Sequence, residues 1–245
     1  MSALVALTER SLIAATRDRG MFFEILSPAG YLAGFTVALH GLIDTGRMSY
    51  AQYLVPAVVI QSVIFVALLT ASRGTRDRLL GLHDRWATLP IAAAVPIGAR
   101  MLATLIRAAL AMSVAVVAGY AFGFRMSGGL GYALAFVLIT LLLCLAVALG
   151  ADALGSSTGS VQVNQLLAAP QLLLLMLSTG IAPEKTFPNW LRPYVRDQPV
   201  SQVAETLRGL ATGQVAVGNL AASLAWCVGM VLVFGAIALR LQRRD

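Results

Sequence analysis

The sequence predicts an all-α integral membrane protein with six transmembrane helices. Three observations predict it. The 245-residue chain is 58% hydrophobic and only 12% charged, with a mean hydropathy of +0.81, which is too apolar for a soluble domain. Its charge-free runs, at 25–43, 48–72, 108–124, 126–151, 153–183 and 209–239, can each hold the roughly 17–25 apolar residues that cross a bilayer as a helix. The runs are apolar on all sides, whereas strands of a membrane barrel alternate apolar and polar over about ten residues. Pro28, Pro56 and Pro170 fall inside these runs and are read as kinks, because neighbouring helices satisfy the backbone groups that a proline frees.

The elements follow in order. Residues 3–16 form a modestly amphipathic stretch with Glu9 and Arg10 on its polar side, expected to lie along the inner membrane surface. Arg10, Arg17 and Arg19 precede a first span over about 22–43. Glu24, near its start, is expected to be solvated at the interface. A balanced external turn at 44–47 leads to a second span over about 50–72. The stretch 73–107 then carries Arg73, Arg76, Arg78, Arg85, Arg100 and Arg107 against only Asp77 and Asp84, an arginine excess that marks the cytoplasmic side. Within it Leu79, Leu80, Leu82, Trp86 and Leu89 recur at three- and four-residue spacing. That pattern predicts a short amphipathic helix ended by Pro90, suited to lying in the interface or docking on a soluble partner.

The third span is expected over about 96–123. Arg100, Thr104 and Arg107 are spaced i, i+4, i+7 and share one helical face, which must turn away from lipid. Arg107 lies about 10 Å deeper than Arg100. We expect this face to line a subunit interface or the inner mouth of a pathway; the alternative is that Arg107 simply snorkels toward the membrane surface. A glycine-rich turn at 125–131 precedes a fourth span over about 130–151, and 152–165 reads as a small, polar inner loop. The fifth span, about 163–180, carries Asn164, Gln165 and Gln171, amides that join helices in membranes. Pro183, Pro188, Pro193 and Pro199 divide an external segment at 181–213 into short pieces. There Trp190, Leu191 and Tyr194, then Val203, Leu207 and Leu210, are expected to bury one side of each piece in the outer interface. The last span, about 219–239, ends in Arg240, Arg243 and Arg244. With six spans both termini lie in the cytosol.

Several functions are excluded by what the chain lacks. Lys185, the only lysine, follows Glu184, so no Walker loop is present and the chain cannot hydrolyse ATP by that route. His40 and His83, the only histidines, are expected on opposite sides of the membrane and cannot form the paired site of an intramembrane metalloprotease. Glu24 and Asp152 sit at span edges, which leaves no mid-membrane acid for a proton- or sodium-coupled carrier. Cys144 and Cys227 lie within apolar runs and read as core residues. The formal charge of +7 is assigned to arginines that orient the spans and meet anionic lipid, with no nucleic-acid partner. Arg17, Asp18 and Arg19 argue against a cleavable signal peptide. What remains is a passive conduit driven by another subunit, or a structural membrane protein.

Two blocks of residues carry a resemblance. The first is Gly81, Asp84, Arg85, Trp86, Leu89, Pro90 and Ile91, followed by Gly98, Ala99 and Arg100. The second is Ser178–Pro183, Pro188, Trp190, Leu191, Gln198–Ser201, Arg208, Gly209, Leu210 and Gly213. In this order and spacing the chain resembles, over essentially its whole length, the permeases of type-2 ABC exporters, in particular the daunorubicin-resistance group of actinobacteria. It departs from that group at Thr104, where an acid is expected.

The resemblance implies one transmembrane domain over 1–245 in the bacterial inner membrane. Gly81, Asp84, Arg85, Trp86, Leu89 and Pro90 would form a cytoplasmic coupling helix docked in a cleft of an ATPase subunit. Two ATPase copies and a second six-span permease, identical or homologous, would complete the exporter. ATP and Mg would be bound by that partner ATPase, and no cofactor or metal is expected in this chain, which by itself is not an enzyme. Residues 181–213 would be a re-entrant external cap that includes Pro183, Trp190, Gln198, Pro199 and Arg208. The cargo would be lipophilic. The stretch 178–201 is similar to lipid-exporting relatives and favours a cell-envelope lipid or glycolipid; the alternative is an anthracycline-like antibiotic.

Overall fold

The structure, a computed structural model, describes residues 3–16, 20–39, 48–81, 92, 94–158 and 163–242. Among the described residues the elements are α1 (Ala3–Thr16), α2 (Gly20–Leu39), α3 (Tyr50–Leu79), α4 (Ala94–Ala121), α5 (Leu130–Thr158) and α6 (Val163–Met176). A 3-10 turn at Glu184–Thr186 precedes α7 (Arg192–Asp197), α8 (Pro199–Thr212) and α9 (Val217–Gln242). No strand occurs among them, which agrees with the all-α expectation.

The core is built around α3, which packs against α2, α4, α5, α6 and α8. Its Leu54, Val59, Ile60, Val63 and Val66 are completely buried. By contrast α9 rests on α5 and α8 at the edge, and its Leu232 and Val233 point outward. An apolar outer face is what lipid solvates. Because lipid is as apolar as leucine, helices in a membrane gain by close approach of backbones over small residues. A Cβ added at Gly155 would meet the Ala71 carbonyl well inside van der Waals contact, and one at Gly74 would stand 3.1 Å from an Asp152 carboxylate oxygen. Thr75 Oγ1 crosses the same seam and donates to the Gly155 carbonyl at 2.8 Å. At the other end of α3, a Cβ at Gly119 would come within 2.7 Å of Val55. Pro28, Pro56 and Pro170 are accommodated inside α2, α3 and α6, as expected.

Among the described residues four helices are long and apolar enough to cross a bilayer: α3, α4, α5 and α9. The apolar helical stretches of α2 and α6, Phe22–Val37 and Leu166–Met176, are shorter. The expected first span continues to residue 43, and 40–47 lie outside the described residues. The fifth ends earlier than expected, at Met176 rather than near 180.

Two expected loops are instead helix. The second span does not stop at Ser72, because α3 continues through Arg73, Arg76 and Arg78 to Leu79. Leu79 and Leu80, assigned from spacing to a separate amphipathic helix, therefore belong to the end and cap of α3. Gly81 follows with φ +63, a left-handed conformation that ends helices and favours glycine. Gly81 thus terminates α3. Asp84, Arg85, Trp86, Leu89 and Pro90 lie outside the described residues. The inner loop expected at 152–165 is likewise helical through Thr158, since its small residues serve packing on α3.

The seam between α3 and α5 leads to a test. Gly155→Val forces the two backbones apart, and overpacking of this kind costs about 2 kcal/mol. We expect a clearly lower melting temperature in detergent. Gly229→Ala, at a position where an added Cβ meets nothing, should leave it unchanged. Equal melting of the two variants would contradict the close seam.

Candidate functional site

Charged side chains inside an apolar bundle must be paired, because desolvation of a lone ion is far costlier than any single contact can offset. At the arginine-rich end of α3, three acids and three arginines satisfy this across four helices. Arg100 of α4 donates from Nε and Nη2 to the two carboxylate oxygens of Asp152 on α5, at 2.8 and 2.9 Å. This bidentate form is the strong geometry for an arginine and a carboxylate. Arg100 also stands 3.7 Å from Asp77 of α3. One turn deeper, Glu24 of α2 accepts from Arg73 of α3 at 3.1 Å and faces Arg107 of α4 at 3.6 Å. Glu24, Asp152, Arg100 and Arg107 are 1%, 2%, 7% and 3% exposed. These pairs are therefore internal to the chain.

Thr104 connects the two pairs. Its hydroxyl donates to the Arg100 carbonyl at 2.9 Å and accepts from Arg107 Nη2 at 2.9 Å. A hydroxyl has one proton, so across the 3.3 Å contact with Thr70 of α3 Thr70 is the donor. Thr104 thus supplies a hydroxyl where the resemblance had led to the expectation of an acid. Here the carboxylate that faces Arg107 comes from Glu24 on another helix.

These findings correct two expectations. Glu24 is not solvated at an interface, and Asp152 is not a loop residue at a span edge; both are buried and ion-paired. The expectation that the Arg100, Thr104 and Arg107 face turns away from lipid agrees with its burial. Sequence reasoning missed the acids that meet this face. The available hint was Asp152 in the run Gly150–Gly155, whose small residues allow a neighbouring helix to approach.

The opposite end is closed by α8. Arg208 is 4% exposed and donates to three carbonyls: Tyr53 at 3.1 Å, Thr179 at 2.7 Å and Gly180 at 2.9 Å. Its guanidinium lies 3.7 Å from the Tyr53 ring centroid and pairs with Glu205 at 2.8 Å. Tyr53 Oη also donates to the Thr179 carbonyl, at 2.6 Å. Pro199 opens α8 at its first turn, and Gly213 closes it with φ +76. Gln198 is buried, donating to Leu177 O and to Ser201 Oγ. Pro183 precedes the 3-10 turn. Val203, Leu207 and Leu210 are buried beneath α8, whereas Trp190 is 79% exposed. Far from packing on the bundle, its ring points outward. Arg208, Gln198 and Tyr53 therefore meet at one place, and Trp190 stands apart from it.

Two cavities complete the description. One, of about 330 Å³, lies at the arginine-rich end and is lined by Arg10, Arg73, Arg76, Arg100 and Arg107 among others. The other, of about 480 Å³, has no charged lining; Leu68, Leu154, Gln171, Phe234 and Ile237 contribute to it. Gln171 reaches Gln61 of α3 at 3.3 Å, which joins α6 to α3 as the amides of that span were expected to do. The side chains of Asn164 and Gln165 lie outside the described ones.

An all-helical bundle with apolar spanning helices and internally paired arginines defines a polytopic membrane protein. The comparisons with known proteins make this specific. The family model described as ABC-2 family transporter protein matches residues 20–240. The chain belongs to that family. It is 33% identical over 189 residues to the "Doxorubicin resistance ABC transporter permease protein DrrB" of Mycobacterium tuberculosis, which covers 74% of this chain and 65% of that protein. It is also 28% identical over 190 residues to the "Probable doxorubicin resistance ABC transporter permease protein DrrC" of the same organism, covering 78% of this chain and 67% of the relative. A third relative is the "Daunorubicin resistance ABC transporter permease protein DrrB1" of Streptomyces coeruleorubidus, 26% identical over 223 residues, 89% of this chain and 78% of that one. The chain thus spans just under two thirds of the length of the first relatives. The resemblance to the daunorubicin-resistance group holds.

The Arg100–Asp152 pair gives a direct test of its burial. Removing one partner of a buried pair costs about 3 kcal/mol or more, whereas replacing both with apolar residues costs far less. Asp152→Leu should therefore melt well below the double variant Arg100→Leu/Asp152→Leu. A double variant that melts no higher than the single one would show that the two groups do not depend on each other.

Proposed function

We propose that this chain is the membrane-spanning permease subunit of an ATP-driven exporter, and that its cargo is a lipophilic, antibiotic-like compound of the anthracycline kind. The observation that carries the first part is the family match over 20–240, in a chain that lacks a nucleotide-binding loop. ATP and Mg are then handled by a separate ATPase subunit, two copies per complex, with a second permease chain, identical or homologous, completing the pathway. This chain is in itself no catalyst. It resides as one transmembrane domain of six spans in the bacterial inner membrane, α2 and α6 included, with the arginine-rich end and both termini in the cytosol and α8 outside.

For the cargo, the names of the relatives speak for antibiotic efflux over the cell-envelope lipid suggested by the stretch 178–201. The uncharged cavity between α3, α5, α6 and α9 supports the same reading, since a flat apolar molecule is bound mainly by apolar walls with a few polar groups. Gln171 would supply such a group.

In this reading residues 81–90 couple the chain to the ATPase. They continue directly from α3, so that Trp86 and Leu89 fill a cleft in the ATPase while Asp84 and Arg85 pair at its rim. The Arg100, Thr104 and Arg107 cluster holds the helices behind this contact in fixed relation. The segment containing Pro183, Trp190, Gln198, Pro199 and Arg208 caps the outer end.

Inside-out vesicles containing this chain and its ATPase should accumulate a fluorescent anthracycline when ATP is added, and vesicles with this chain alone should neither accumulate it nor hydrolyse ATP. Uptake of a labelled envelope lipid in place of the anthracycline would overturn the cargo assignment, and hydrolysis by the isolated chain would overturn the subunit assignment. Buried aromatic anchors typically cost 2 kcal/mol or more on truncation, against much less for rim charges. Trp86→Ala should therefore weaken copurification of the ATPase at least tenfold, and Arg240→Ala should not.

Sidedness is checked separately with cysteine variants. Asn189 is exposed, so Asn189→Cys should react with a membrane-impermeant thiol reagent in whole cells and His83→Cys should not. Gln198 is unsuitable for this purpose because it is buried. Reversed labelling would invert the topology.

A further inference from the structure

The cavity at the arginine-rich end has more positive charge than the ion pairs explain. Its lining includes five guanidinium groups, from Arg10, Arg73, Arg76, Arg100 and Arg107, and a single carboxylate, Asp77. Three acids balance three arginines in the pairs already described: Glu24 faces both Arg73 and Arg107, and Arg100 takes both Asp77 and Asp152. That leaves Arg10 and Arg76 as the excess. Neither makes an ion pair among the described residues, and both are exposed at the mouth, where they cost nothing to solvate. Deeper in, Arg107 is buried, yet its Nη1 has no hydrogen-bond partner among the described residues; the same is true of Arg73 Nη1. Arg107 Nη1 stands 3.6 Å from Glu24 Oε1, beyond hydrogen-bond reach.

Arginines converging on one space from three helices, with donors left over, create a positive potential that an anion relieves. Among anions, a phosphate group fits the donors best, because its oxygens accept the parallel N–H pairs that a guanidinium fork presents. The volume, about 330 Å³, is at the lower end of small-molecule sites and holds a phosphate together with the polar group it is esterified to. The location agrees. The cavity lies between α1, which packs on α4, and the end of α3. α1 turns Leu4, Val5 and Ile13 outward, and Leu80 on the cavity wall is 60% exposed. Apolar side chains flanking a charged recess are what the headgroup level of a bilayer offers on its protein side.

We propose that this cavity is a binding site for a phosphate group, supplied either by an anionic lipid headgroup or as a free phosphate. Bound there, it bridges Arg10 on α1 to Arg73 and Arg76 on α3 and to Arg107 on α4, and so fixes the surface helix to the bundle. The site is independent of the cargo assigned above. It uses a different cavity and a charged ligand.

The test is native mass spectrometry of the full-length chain in mild detergent, titrated with phosphatidylglycerol, with a galactosyl diacylglycerol that lacks phosphate, or with inorganic phosphate. The unaltered chain should retain one phosphatidylglycerol in preference to the galactolipid. Arg10→Gln/Arg76→Gln should need roughly 25-fold more phosphatidylglycerol for the same occupancy, since each basic group near an anionic surface contributes about fivefold. The matched variant Arg196→Gln/Arg240→Gln, which removes two exposed arginines outside the cavity lining, should bind as the unaltered chain does. If inorganic phosphate displaces the lipid and itself adds to the mass, the site takes free phosphate; if it does not, the lipid headgroup is the source. Equal retention of the galactolipid, or equal loss in the two double variants, would overturn the proposal. Melting temperatures of the unaltered chain with each lipid are recorded in parallel. Should the cavity variant not fold, absence of any greater stabilisation by phosphatidylglycerol than by galactolipid decides against the site.

Discussion

Everything at the arginine-rich end depends on the requirement that buried charges be matched. Arg100 and Arg107 are carried into the bundle by α4, and only acids from other helices can neutralise them there. Asp152 of α5 and Glu24 of α2 do so, with Asp77 of α3 beside them. The arrangement is specific because each pair fixes the rotation of two helices at once: turning α4 by one residue would carry both arginines off their partners. Packing among leucines gives no such register, since lipid competes with it on equal terms. Depth matters as well. Arg107 does not need to snorkel toward water, because Thr104 and Glu24 meet it where it is.

The opposite end solves a different problem with the same residue type. A helix of 14 residues such as α6 extends only about 21 Å, less than the roughly 30 Å of hydrocarbon that a span has to cross. Under the proposed six-span topology the remainder is made by the turn after Met176, and non-helical backbone is tolerated at membrane depth only where protein satisfies it. Arg208 does this. Its guanidinium takes the carbonyls of Thr179 and Gly180, while Tyr53 Oη takes Thr179 as well and Ser201 Oγ accepts from the Thr179 amide. Under that topology the segment at 181–213 is more than a cap, because its Arg208 and Ser201 hold the turn that completes the short span.

Much of this was legible in the sequence, and the parts that were not share a cause. Hydropathy located the four helices long enough to cross a bilayer, and the spacing of Arg100, Thr104 and Arg107 placed them on one protected face. The boundaries failed where residues with two readings occur. Arg73, Arg76 and Arg78 look like a loop by charge, but arginine is a good helix former and α3 simply continues through them. Gly150–Gly155 looks like a loop by its glycines, yet in a membrane glycine marks close packing as often as a turn. Burial of Glu24 and Asp152 was invisible for a further reason. A lone acid at the edge of a span reads as solvated unless its basic partner is known, and each partner lies on another helix, with Arg100 52 positions before Asp152. Pattern along one helix finds faces; pairing between helices needs the fold.

The two clamped ends have a consequence for movement. α3 is one continuous helix of 30 residues, about 45 Å long, pinned to Arg208 near its start and to Arg100, Glu24 and Gly155 near its end. Under the proposed coupling, a displacement delivered at residues 81–90 enters α3 at its terminus and meets no hinge before the far end. Pro56 alone interrupts its hydrogen-bond ladder, and it lies within the buried part of the helix. A rod held in this way moves its neighbours with it, so that α2, α3, α4 and α5 shift as a unit. Relative motion is then confined to elements outside that unit. Those are α6, tied to α3 through Gln171 and the turn that follows it, and α9, which rests on α5 and α8 at the edge. The uncharged cavity is bounded by these two helices. It is the part of the chain whose walls can separate without breaking a buried ion pair, which is where a passage for an uncharged face of cargo costs least to open.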